Sequence, residues 1–158
     1  MLSQFLDSWA SIYANHPALR TGILFMHIGG LLAAGGSAIT VDLATIKVRR
    51  ETPDARAAHL DVLKRTHGLV VTGLAAIVFS GLLQLGADVG TFAASKIFWL
   101  KMALVVLLLV NGVLILGGER QVQRDAPGAW ARLHATAAAS LLLWFVITLA
   151  GVALTNIG

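Results

Sequence analysis

The sequence predicts an all-α integral membrane four-helix bundle with a short amphipathic interfacial helix at the N-terminus. Three observations predict it. Four apolar runs are long enough to cross a bilayer: Thr21 to Ile46, Gly68 to Ala87, Ile97 to Gly117 and Ala135 to Leu154, since about 18 or more such residues read as a span. Of 158 residues, 57% are hydrophobic and 13% charged, whereas soluble domains carry about a quarter. Finally, Lys and Arg gather in alternate connections, the signature of membrane topology. The whole of 1–158 therefore reads as one transmembrane domain.

The first element is residues 1–16. Leu2, Phe5, Leu6, Trp9, Ile12 and Tyr13 recur at helical spacing, which predicts a helix lying in the membrane interface, with Trp9 and Tyr13 at headgroup depth. Packing of the same face on a partner subunit is the alternative. Asn15 and Pro17 then open the first span, about 18–46, because proline suits a first helical turn. That span contains GGLLAAGGSA, Gly29 to Ala38. Small residues there admit another backbone or a flat cofactor.

Thr52 and Pro53 give a helix start. The segment after them predicts an extension running straight into the second span, about 66–87, with His59 as a surface residue near water. The third span is about 97–117. A start signal near Asp125 and Pro127 opens the fourth, about 131–155, with Trp130 at the interface. These lengths suit an up-down bundle.

The first connection carries Lys47, Arg49, Arg50, Arg56, Lys64 and Arg65, and the third carries Arg120, Arg124 and Arg132; the other side has Arg20, Lys96 and Lys101. The positive-inside rule then places both termini outside the cytoplasm, in a multi-pass protein expected in a bacterial inner membrane. No cleavable signal is read at the N-terminus. No cysteine is present, which excludes disulfides and thiolate metal sites. Topology accounts for the net charge of +4, so no nucleic-acid partner is implied.

The polar residues within the spans sort by depth into two layers. The outer layer is His27, Gln84, Lys101 and Met102; the inner one is Asp42, His67, Asn111 and His134. An imidazole in lipid is costly without a partner. Three histidines in or at the edges of spans suggest haem b, one or two copies, because neutral imidazole binds iron and facing helices supply axial ligands. His67 and His134 are the expected pair for an inner haem, with Gly68, Gly73 and Ala138 giving room for the porphyrin and Asp42 or Asn111 orienting a ligand ring. His27 ligates or adjoins an outer site, or else makes one hydrogen bond to Gln84 or a carbonyl. Lys101 either snorkels outward or points inward to hold a carboxylate or a quinone oxygen. Met102 packs or serves as a thioether ligand, and Met26, Met102 and His27 are the soft donors of a copper variant.

FWLKMALVVLLLVNG, Phe98 to Gly112, resembles the third helix of small haem-associated four-helix membrane proteins. In the HemJ-type protoporphyrinogen oxidases an aromatic residue, a lysine and a leucine-valine run stand there, with an essential histidine in the first helix. His27 and Lys101 match those two positions, and the pattern is also similar to the copper-resistance D-type family. The resemblance implies that His27 ligates haem b and that Lys101 is the catalytic residue. Val110-Asn111-Gly112 departs from the oxidase pattern, which has a tyrosine-histidine pair there. The first expectation is thus a membrane b-type cytochrome carrying electrons between haem and quinone or another redox protein, alone or as a homo-oligomer. A HemJ-like oxidase is the second, and a non-haem membrane subunit or small-molecule carrier the third.

Overall fold

The computed structural model describes residues 1–48 and 52–157, with the backbone alone at Leu2, Pro53 and Ile157. Arg49 and Arg50 of the basic first connection lie outside the described residues. Six helices follow one another: α1 (Leu2–Asn15), α2 (Pro17–Val48), α3 (Pro53–Ala87), α4 (Val89–Ala94), α5 (Lys96–Gln123) and α6 (Ala129–Ile157). Among the described residues there is no strand. Helices α2, α3, α5 and α6 are each long and apolar enough to cross a membrane. Their outer surfaces carry Phe25, Leu32, Phe145 and Leu149, all exposed. A water-soluble monomer rarely shows such a continuous apolar surface, and a bilayer explains it.

The boundaries follow from local chemistry. Thr52 caps α3, its hydroxyl accepting from the Ala55 N–H at 3.4 Å, and proline holds the first turn. Asp88 caps the short α4 and Ser95 caps α5. The α5–α6 turn bends through positive φ at Asp125 and Gly128, where glycine meets no steric penalty.

Helices α2 and α3 form the closest pair, held at three levels. A Cβ on Gly30 would stand 2.9 Å from the Gly73 carbonyl oxygen, and one on Gly73 would stand 2.9 Å from the Ala34 Cβ. Only glycine permits that approach. One hydroxyl–imidazole pair lies on each side of it. Toward the terminal end (the end that carries α1, α4 and the C-terminus), His27 Nδ1 meets Ser80 Oγ at 2.9 Å. Toward the basic end, His59 Nε2 meets Thr45 Oγ1 at 2.8 Å. His59 is buried, which corrects its expected surface position: the extension beginning at Pro53 packs on α2 instead of standing in water.

On its other side α2 packs against α6, where the Trp144 ring lies against Gly35. Helix α6 in turn packs against α5, where Leu133 fills the space at Gly118 and the Asn111 amide donates to the Thr136 carbonyl at 2.9 Å. The order around the bundle is therefore α3, α2, α6, α5. The fourth side, between α3 and α5, is left open. Helix α1 is fastened to the terminal end. Its Trp9 indole donates to the Leu83 carbonyl at 2.8 Å and its ring rests over Gly86. Leu6 and Trp9 of the amphipathic face thus pack on its own bundle, while Phe5 and Ile12 stay exposed.

Candidate functional site

The outer site is built on the α2–α3 pair, with Lys101 of α5 set against α6 nearby. Ser80 is fully buried, and its hydroxyl lies 2.6 Å from the Ala76 carbonyl. A hydroxyl has one proton. With the Ala76 carbonyl at 2.6 Å and the Ile77 carbonyl at 3.1 Å both taking that proton, Oγ is assigned as the acceptor at His27 and the imidazole proton to Nδ1. His27 Nε2 then carries the lone pair, which is the arrangement of a metal-ligating imidazole with its other nitrogen anchored. Gly81 lies under the ring: a Cβ there would stand 3.5 Å from His27 Cε1. The expected alternative partner, Gln84, instead donates to the Ser80 carbonyl of its own helix.

Lys101 does not snorkel. It is half-buried, and its Nζ would stand 3.5 Å from a Cβ on Gly151 of α6. It also lies near enough to His27 for its charge to act on the ring. Contacts across the bundle place Lys101 about one turn deeper than His27, and the lean of helical side chains toward the N-terminus of α5 brings the ammonium back toward it. Met102, the next residue, is half-buried and about 100° further around α5. Among the described residues no group of three or more His, Asp or Glu side chains is disposed to hold a metal ion.

The inner layer divides. Cross-helix contacts fix the register: Gly73 meets Ala34 and His59 meets Thr45 on one side of α2, while Trp144 meets Gly35 and Ser140 lies beside Asp42 on the other. His67 is then level with about residue 38 of α2 and His134 with about residue 47. At about 1.5 Å per residue the two are offset by ~13 Å along the bundle. Helix α2 stands between their helices. Two imidazoles sharing one iron need bonds of about 2 Å each. Because α3 and α6 run parallel, both side chains lean the same way and do not close the gap. The expectation that His67 and His134 share one depth is corrected accordingly. Gly73, expected to make room for a porphyrin, is occupied by the α2–α3 contact, and Asn111 spends its amide on the α6 backbone.

His67 and Asp42 instead face the open side. A cleft of about 270 Å³ lies between α3 and α5, floored by α2 and α6. Its walls are apolar residues such as Leu74, Leu108 and Val113, with Gly112 bare on one side. A Cβ at Gly112 would meet nothing within 4 Å. Besides the Trp144 indole, five polar side chains interrupt these walls: Asp42, Thr66, His67, Glu119 and Ser140. Thr66, Glu119 and Ser140 were not expected. Asp42 is 5% exposed, and its Oδ2 has no hydrogen-bond partner among the described residues.

Comparison with protein-family models, curated proteins and solved structures finds no match to this chain.

Proposed function

We propose that the chain is a membrane-embedded redox protein of the b-type cytochrome kind, holding haem b through His27 and exchanging electrons with quinone. The observation that supports this reading is the anchored tautomer of His27. The Ala76 carbonyl, the Ser80 hydroxyl and the imidazole form one chain of hydrogen bonds that leaves Nε2 as the donor atom. That donor chemistry suits an iron ligand. Haem supplies one-electron chemistry at iron when bound. The chain's own residues then fix the ligand ring, keep water away with the apolar spans, and offer the Lys101 ammonium to a propionate. His67 and His134 stand outside this arrangement. The basic end faces the cytoplasm of a bacterial inner membrane in this reading.

An optical spectrum of detergent-purified protein, oxidised and then dithionite-reduced, with a haem count, tests it. One haem per chain is expected, lost in His27→Ala and retained in His67→Ala and His134→Ala. A colourless protein from haem-supplied cells overturns it.

The position of Lys101 favours a second reading, the HemJ-like oxidase. An inward ammonium beside His27 suits a carboxylate-bearing tetrapyrrole substrate as well as a propionate. Under that reading Lys101→Ala abolishes protoporphyrinogen oxidation while the haem stays in place.

A further inference from the structure

We infer that the cleft between α3 and α5 is a lateral binding site for a lipid-soluble hydroquinone, whose ring hydroxyl donates to Asp42 Oδ2. The choice of lipid class rests on the quinone exchange proposed above; the site itself does not. Two observations carry it. The first is the shape and chemistry of the cleft. It lies on the side of the bundle where α3 and α5 do not pack, so it faces the bilayer that the apolar spans imply. Its walls are apolar, and Val113, at its rim, is 68% exposed. An apolar tail entering from the acyl region loses no contact with water and needs no aqueous path.

The second is the carboxyl in that cleft. A buried polar oxygen without a partner costs about 1–3 kcal/mol, and Asp42 Oδ2 is such an atom, 5% exposed and turned to the cleft. Acyl chains cannot pair it. A head that brings an O–H can. Ser140 is bonded to Asp42, and His67 lines the same cleft about one turn away, so the second oxygen of a dihydroxy ring has a polar group to meet as well. Gly112 leaves the opposite wall bare at the level of Asp42, as a flat ring requires. A ring hydroxyl thus pairs a site that the fold leaves unpaired, and the apolar tail fills the rest of the cleft.

The test is titration calorimetry on full-length protein in phosphatidylcholine nanodiscs, with decylubiquinol as probe and decylbenzene, which has the tail and ring but no hydroxyl, as comparison. Saturable binding of one quinol per chain is expected, with decylbenzene about tenfold weaker. Asp42→Leu removes the acceptor and should erase that preference. Val113→Trp, on the lipid-exposed rim, should block both molecules without touching Asp42. Leu142→Ala, on the exposed face of α6 away from the cleft, should leave quinol affinity unchanged. A colourless protein that still prefers quinol removes the haem reading and leaves this one standing. Equal binding of quinol and decylbenzene, or a preference that survives Asp42→Leu, means that the cleft takes acyl chains only and overturns the proposal. Absence of saturable binding overturns it too.

Discussion

Gly73→Ala should separate α2 from α3 and loosen the bundle, although it adds a single methyl group. The new Cβ would stand 2.9 Å from Ala34 Cβ and 3.1 Å from the Gly30 carbonyl oxygen. Carbon atoms are comfortable at about 3.5–4.0 Å, so the two helices must part by roughly 0.6–1 Å at this level. No flexible side chain can absorb the shift, because both contacts involve backbone or a Cβ. Overpacking of this kind costs about 1–3 kcal/mol, equivalent to a roughly 5- to 150-fold change in an unfolding constant. The shift should also reach the outer site. His27 and Ser80 form their 2.9 Å contact on the same helix pair, within two turns. The assay is unfolding of the purified protein from mild detergent into dodecyl sulfate, followed by circular dichroism. Gly68→Ala is the comparison, since a Cβ there meets nothing within 4 Å and alanine favours the helix by about 1 kcal/mol. If the two variants unfold at the same dodecyl sulfate fraction, the glycine contact is not what holds α2 to α3.

The remaining outcomes are smaller. Ser80→Ala should release the His27 tautomer, and the haem count or midpoint potential of the purified protein should change while His67→Ala leaves both alone. Thr45→Val should leave His59 Nε2 without its 2.8 Å partner and cost about 1–3 kcal/mol in the same unfolding assay, and a null effect would return His59 to the status of a surface residue. Asn111→Leu loses the bond to the Thr136 carbonyl and should cost only about 0.6 kcal/mol, because bonds between membrane helices average that much. Trp9→Phe loses the bond to the Leu83 carbonyl, and limited proteolysis should then cut within residues 1–16 sooner than in the parent chain.

The four long helices were legible because apolar run length alone decides them, whereas the short α4 was not expected. Position within the bundle was less legible, and the errors share a physical cause. Depth was counted from where each apolar run begins, but α3 starts at Pro53, fourteen residues before His67, while α6 starts at Ala129, five before His134. The two histidines therefore sit at unlike heights although both open an apolar run. His59 was misplaced for the same reason, since a charged stretch at the start of α3 still turns one face to α2. Glu119 escaped notice because GERQ reads as the polar edge of a span, and Ser140 because serine is unremarkable among alanines. Ser80 left a faint signal. Once Gly30 and Gly73 are matched as the close approach, antiparallel counting sets Ala76 level with His27 and Ser80 one turn beyond it, within reach of an imidazole. Nothing in the sequence revealed that α3 and α5 stay apart, because that depends on the sizes of side chains meeting across three other interfaces.

That missing interface has a mechanical consequence. Along the cleft, helix α3 is joined to the bundle through α2 and α5 through α6, while the short α4 ties α3 to α5 at the terminal end, so the four spans resemble the covers of a book with α2 and α6 as its spine and a clasp at one end. Parting the covers at the basic end, away from α4, breaks no seam between the long helices, and the neighbouring acyl chains flow into the widened gap. Passage in and out of the opening is then paced by the fluidity of the surrounding lipid more than by any barrier within the chain.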